Sequence, residues 1–360
     1  MKRDDDGALV RDVEPVREAF RFDEQRLAQW LHANVDDQAG TPQVSQFKGG
    51  QSNPTYRVDT DRGSYVLRRK PPGDLLKGAH AIDREHRVLA ALRHATFPVP
   101  RVHALCLDRG VIGTEFYVMD RIEGRVFWNP RLPEVAVPER AAYFDAMNET
   151  IARLHGIDPA AIGLADYGRT GGYFERQIAR WSGQYRDDAL AGRDPHMDRL
   201  VEWLPQHVPT GDETTISHGD FRCDNMIFHP TEPRVLAVLD WELSTLGHPL
   251  ADFSYHAMMY RLPPSIMHGL QGEDLLSLGL PSEADYVAAY VRRTGRDGIS
   301  NYAFYIAFNM FRLAAILHGI KGRLLRGTAS SAQAVEMAKN VEPLAQLAWQ
   351  QAELAMCEAG

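Results

Sequence analysis

Cysteine is scarce in this chain of 360 residues: Cys106, Cys223 and Cys357 are odd in number and far apart. They suggest neither a disulfide framework nor a Cys-x-x-Cys metal site, and such sparse use fits a reducing compartment, so a cytoplasmic location is expected. Long apolar runs are also missing. No window approaches eighteen uninterrupted apolar residues, so no membrane span is expected. The opening MKRDDDGALVRD lacks the apolar centre of a secretory signal. A basic excess is absent too. Forty Lys and Arg stand against 48 Asp and Glu, a formal net charge of −8, and nucleic acid is not an expected partner. No internal repeat is evident.

The composition that remains, 44% hydrophobic and 24% charged, is that of a soluble globular protein. The length suffices for two lobes, each with its own core.

The chemistry concentrates between His218 and Glu242. This stretch reads HGDFRCDNMIF, then a polar turn with Glu232 and Pro233, then VLAVLDWE. Met226 to Phe228 and Val235 to Leu239 are short apolar runs joined by that turn, which predicts a hairpin. Asp220 and Asn225 would stand at its entrance and Asp240 at its exit. The Asp220-to-Asn225 spacing matches the kinase catalytic-loop pattern H-x-D-x-x-x-x-N, with Gly219 where protein kinases carry Arg. Phosphoryl transfer needs these groups: an acceptor for the substrate hydroxyl proton, and oxygen ligands for the magnesium that bridges ATP phosphates.

HGDFRCDN followed by LDWE resembles the core of the aminoglycoside phosphotransferase and choline kinase superfamily. FKGGQSNPTY (residues 47–56), YVLRRKPPG (65–73), REHRVLAAL (84–92) and GHPLADFSYH (247–256) are most similar to the phosphotransferase-like modules associated with acyl-CoA dehydrogenases. The resemblance covers nearly the whole chain after about Asp23. It implies an α+β, protein-kinase-like, two-lobed fold: a small antiparallel sheet lobe with one key helix, then a larger, mainly helical lobe. The expected division is a loose arm at 1–22, a nucleotide-binding lobe at 23–120, and a lobe at 121–360 carrying the catalytic loop, metal site and acceptor-binding helices.

Along the chain, Asp23 can cap a helix with Leu27, Trp30 and Leu31 at helical spacing. Three runs follow, Val44 to Lys48, Thr55 to Thr60 and Ser64 to Lys70, the last two joined by the turn Asp61-Arg62-Gly63. Between the first two lies Gly49-Gly50-Gln51-Ser52-Asn53, where two glycines would let the backbone approach a phosphate. Gly49, Gly50, Ser52 and Asn53 are therefore candidate ATP contacts, though the same residues would serve as a simple turn. In the helix expected over Ala79 to His94, Glu85 falls on the apolar stripe of Ile82, Leu89 and Leu92. An acid turned toward a core is costly unless paired. Arg68 and Lys70 share a strand face with the reach to pair it, and Arg68 is chosen because its planar fork can bridge a carboxylate and a phosphate.

Arg101 to Leu107, a turn at Asp108-Arg109-Gly110, and Glu115 to Asp120 complete a roughly five-stranded lobe. The resemblance places the adenine contact at Met119, Asp120 and Arg121. Tyr143 to Leu154, Tyr173 to Tyr185, Asp198 to His207, 283–294, 301–320 and 331–356 are expected helices, with His155 a packing or capping residue. Asp252 is expected to open a helix; related kinases use an Asp here to support the catalytic loop, and N-terminal capping is the alternative. No acidic residue lies between Asp297 and Glu336, while Arg312, Lys321, Arg323 and Arg326 do. That asymmetry reads as a solvated basic face or as a positive surface for an anionic acceptor, with Arg312 and Arg323 as contacts.

The resulting expectation is a small-molecule kinase that uses ATP and Mg2+. Asp220 would take the hydroxyl proton, Asn225 and Asp240 would hold the metal, and Arg68, fixed by Glu85, would hold the phosphates. His218 would brace the loop, and Glu242 would touch either metal or acceptor. The subgroup implies a hydroxyacyl-CoA acceptor and an acyl-CoA dehydrogenase partner. Two rivals differ in class: a nucleotide-binding regulatory module without turnover, and a metallohydrolase using His218, Cys223 and His229. Kinases of aminoglycosides, choline or sugars are the neighbouring alternatives.

Overall fold

One strand with alternating burial, residues 55–60, and two with continuous buried runs, at 66–69 and 116–119, build the core of an antiparallel sheet, and stripes at helical spacing build the rest. The computed structural model describes residues 13–37, 40–48, 53–73, 81–328 and 334–359. The strands are β1 (Val13–Glu14), β2 (Gln43–Phe47), β3 (Thr55–Thr60), β4 (Gly63–Arg69), β5 (Val102–Cys106), β6 (Phe116–Asp120), β7 (Thr215–Ser217), β8 (Met226–Phe228), β9 (Val235–Val238) and β10 (Thr245–Gly247). The helices are α1 (Glu24–Asn34), α2 (Ile82–His94), α3 (Arg109–Ile112), α4 (Arg140–His155), α5 (Tyr173–Asp187) and α6 (Pro195–Trp203). They continue with α7 (Pro249–Ala257), α8 (Glu283–Thr294), α9 (Tyr302–Leu325), α10 (Ala334–Lys339) and α11 (Val341–Ala359).

The chain divides into two compact units. The sheet unit comprises residues 1–128, 160–165 and 223–244, and the helical unit comprises 129–159, 166–222 and 245–360.

In the sheet unit the order is β1-β2-β3-β4-β6-β5, all antiparallel. Leu27 and Leu31 of α1 pack with Tyr56, Leu67 and Phe116 of the sheet, and these side chains are essentially buried. The α1 start is as expected, because Asp23 accepts from the backbone N–H of Gln25 and Arg26 at 3.0 Å each. Of the expected loose arm at 1–22, residues 1–12 lie outside the described residues and the rest is tied to the sheet, and the expected five strands become six. Val13–Glu14 pairs with Phe47 and Gln46 as a sixth strand, and the Tyr56 hydroxyl ties down the Phe20 carbonyl at 3.1 Å. The turn expected at Asp108 is the short helix α3, capped by the Asp108 side chain on Gly110 N–H.

The β8–β9 hairpin belongs with the sheet, not with the helical lobe in which residues 121–360 were expected to be grouped. Val238 N–H donates to Pro98 O at 2.8 Å, and Arg125 pairs with Phe228 as an isolated bridge. Gly124 permits that approach: a Cβ there would stand 2.2 Å from Phe228 O.

In the helical unit, α9 is long and apolar enough to cross a membrane by length and composition, but 89% of that window is buried inside the protein. It is the core helix, largely apolar because α5, α7 and α11 pack around it. The helix expected over 331–356 is two, α10 and α11, broken at Asn340.

Candidate active site

In the sheet unit the site grows from Arg68, in β4, paired in register with Thr55 of β3 and Tyr117 of β6. Its guanidinium is buried and reaches three carboxylates. Nε donates to Glu85 Oε2 at 3.0 Å, Nη2 donates to Asp240 Oδ1 at 2.6 Å, and Nη2 lies 3.5 Å from Glu242 Oε2. The Tyr117 hydroxyl also bonds Glu85. Burial by itself would draw the Arg68 pKa down, but Glu85 and Asp240 more than reverse this, and the guanidinium stays charged. Burial pushes Glu85 upward against the pull of Arg68. The misplaced acid on the α2 stripe is thus accounted for. Lys70 is committed elsewhere, in an ion pair with Glu115.

The hairpin sets the other groups of this unit. Leu239 N–H donates to Asn225 O at 2.8 Å, which puts Asn225 and Asp240 at one end of it. Asp240 adopts a left-handed backbone, φ 63° and ψ 61°, a conformation Asp tolerates better than most residues and one often seen at functional sites. Trp241 beside it is buried, its indole N–H on Val238 O at 3.0 Å. Asn53 Nδ2 lies 3.4 Å from Glu242 Oε2. Gly49, Gly50 and Ser52 lie outside the described residues.

These groups fit magnesium. Asn225 and Asp240 offer hard oxygen donors, and the Asp240 side chain is 37% exposed. Among the described residues, no three His, Cys, Asp or Glu side chains group to hold a metal by themselves. Magnesium is usually held in this way, by one or two protein oxygens together with substrate phosphates. His229, suggested for a hydrolase, instead accepts at Nδ1 from the N–H of Glu232 at 3.2 Å in its own turn.

In the helical unit, a loop between β7 and the hairpin carries His218, Gly219 and Asp220. Asp252, on α7, supports it from one carboxylate: Oδ2 accepts from His218 N–H at 2.7 Å and Oδ1 from Gly219 N–H at 2.8 Å. Gly219 needs its lack of a side chain, with φ +83°. Burial alone would raise the Asp252 pKa, but the hydrogen bond from His155 and the bonds around His218 outweigh it and bring it down to about 2. The α7 cap is not Asp252 but His248, whose side chain accepts from Leu250 N–H at 3.2 Å. His218 Nδ1 accepts from Asp220 N–H at 3.2 Å, bracing the loop.

Arg312 corrects an expectation. It is not on a surface awaiting an anion but buried, with Nη2 on Gly219 O at 2.9 Å and its guanidinium over the Tyr255 ring at 5.2 Å. The sequence showed its charge but not its partner. Arg323 is exposed on α9, and Arg326 is paired with Asp188 at 2.8 and 2.5 Å. Met119 is buried in β6, and Arg121 pairs with Glu123 at 2.7 Å. Sequence reasoning missed three contacts. His155 lies 3.3 Å from Asp252, Tyr255 bonds Asp220, and His256 bonds Phe221 O at 3.1 Å. Only the one-turn spacing of Asp252 and Tyr255 on a predicted helix hinted at the second.

A family model described as the phosphotransferase enzyme family matches residues 43–305. Acyl-CoA dehydrogenase family member 10 of Mus musculus is 44% identical over 343 residues, 94% of this chain but 32% of that protein. Acyl-CoA dehydrogenase family member 11 of Gallus gallus is 45% identical over 348 residues, covering 93% of this chain and 44% of that protein. The chain therefore spans less than half the length of these relatives. Among solved structures, a Ralstonia eutropha chain assigned to the aminoglycoside phosphotransferases is 49% identical, with TM-score 0.85, covering 92% of this chain and 99% of that one. Spectinomycin phosphotransferase with bound ADP and spectinomycin is 12% identical at TM-score 0.61, over 91% of this chain and 98% of that one. At that identity the likeness is one of fold.

Proposed function

The chain belongs to the phosphotransferase enzyme family, and from that premise we propose that it transfers the γ-phosphoryl group of ATP to a hydroxyl on a small anionic metabolite, a hydroxyacyl-CoA being the foremost choice. The observation that carries the nucleotide half is the Arg68 guanidinium shared by Glu85 and Asp240. An arginine held this way presents a fixed charge to the α- and β-phosphates of a nucleotide. Asn53 contacts those phosphates, with Met119 and Arg121 near the base.

Asp220 orients the acceptor hydroxyl. The hydroxyl oxygen forms a bond to the γ-phosphorus as the bond from that phosphorus to the bridging oxygen of ADP breaks, and the proton passes to the Asp220 carboxylate. A loose transition state asks little of a base, so orientation is the larger contribution. Magnesium, held by Asn225 and Asp240, would neutralise charge on the phosphates. His218, Asp252 and Arg312 keep the loop in place, and Glu242 tethers Arg68 and Asn53.

The names of the curated relatives support the acceptor class, and an acyl-CoA dehydrogenase as partner. The test is ADP formation from Mg-ATP with hydroxylated acyl-CoA esters, sugars, choline and aminoglycosides. Saturable turnover with a hydroxyacyl-CoA is expected. Turnover with aminoglycosides and none with acyl-CoA esters would reject the anionic acceptor.

A further inference from the structure

Tyr255 has no role in the chemistry as set out above, yet its hydroxyl donates to Asp220 Oδ1 at 2.6 Å, the length of a charge-assisted bond. The ring is buried on α7, three residues after Asp252. One helical turn therefore carries two grips on the same loop. Asp252 takes the backbone N–H groups of His218 and Gly219, and Tyr255 takes the side chain of Asp220. Arg312 reaches in from α9, its guanidinium over the Tyr255 ring and on the Gly219 carbonyl.

We infer that Tyr255 is a positioning residue for Asp220, fixing which way its carboxylate faces when an acceptor hydroxyl arrives. This rests on the kinase reading for Asp220. Burial first, and the neighbouring carboxylate second, push the phenol far above its ordinary range, so it remains a donor at every working pH. The bond favours the charged carboxylate over the neutral acid. Tyr255 thereby makes Asp220 a weaker base that is better aimed, which suits a transition state needing alignment more than proton affinity. The charged or titratable groups facing the pair are Arg222 and His218 on the loop, Asp252 on α7 and Arg312 on α9.

The test needs no acceptor. The full chain is labelled with [γ-13C]aspartate, the Asp220 signal is identified by its loss in Asp220→Asn, and its midpoint is followed against pH. Tyr255→Phe is expected to raise that midpoint by about one pH unit, a tenfold change in proton affinity, as the loss of one charge-assisted bond requires. With the acceptor found by screening, the same variant should lower kcat about tenfold, with the KM for ATP unchanged. Tyr255→3,5-difluorotyrosine keeps shape and packing while making a stronger donor, and should move the midpoint downward. It serves as the decisive arm should the phenylalanine variant fold poorly. A midpoint that ignores both replacements would overturn the inference. A screen without turnover would overturn the kinase reading instead, because the titration is read without catalysis.

Discussion

Arg68 and Asp240 lie 172 positions apart in sequence, and their side chains meet at 2.6 Å. One guanidinium serves a strand, a helix and a hairpin, through Asp240, Glu85 and Glu242 together. The same cation that would hold a nucleotide thus also holds the sheet unit's site in register.

Removing that cation should cost both stability and binding. Arg68→Met leaves Glu85 buried without its partner, a loss on the order of 3–5 kcal/mol. Urea unfolding should show it directly. Arg68→Lys keeps the charge without the fork and should fall between the two in Mg-ATP affinity measured by calorimetry.

Asp240→Asn keeps a residue that tolerates the left-handed backbone, so the fold should survive. The charge proposed to bind magnesium is gone. ATP binding should then require at least about tenfold more magnesium, a loss of about 1.4 kcal/mol. An unchanged magnesium titration would remove Asp240 from the metal site.

Asp220→Ala should lower turnover by about 10²–10⁴-fold while leaving Mg-ATP affinity near that of the parent. A variant that still turned over ATP at the parental rate would take Asp220 out of the chemistry.

His256 contributes to the pH dependence of stability, in the same window as His248, which burial also holds down to about 4. Its Nδ1 lies 3.1 Å from Phe221 O, which can only accept, so this nitrogen carries the proton. Nε2, 2.6 Å from the Tyr286 hydroxyl, then accepts. Burial holds its pKa down to about 4, from 6.5. Between these values the unfolded chain binds a proton that the folded chain refuses, so stability falls as pH drops through that window. His256→Gln should flatten the slope of unfolding free energy against pH there by up to about 1.4 kcal/mol per pH unit. Asp252 acts at lower pH: its carboxylate, at about 2 when folded, stabilises the fold above the unfolded value near 3.8 and loses that effect as pH falls toward 2.

Much of the candidate site's local pattern was legible in the sequence. The spacing of Asp220 and Asn225, the hairpin ending at Asp240, and an acid on the apolar stripe of α2 are all local patterns. Local patterns follow from backbone periodicity, which neighbouring residues impose without reference to the rest of the chain. Glu85 is instructive, since its burial implied a cation and the strand-four arginine was the better donor.

What tertiary structure alone decided is the pairing of residues far apart in sequence. Arg312 looked like surface charge because composition cannot tell a solvated arginine from one spent on the Gly219 carbonyl. Tyr255 and His256 drew no reading, and His155 only one of packing or capping, until the fold brought Asp220, Phe221 and Asp252 within reach. Val13–Glu14 became a strand only because β2 offered it an edge. Hydrogen bonds and ion pairs form wherever folding brings complementary groups together. A one-dimensional string specifies which groups exist and how often they recur, and the closed chain selects which of them meet.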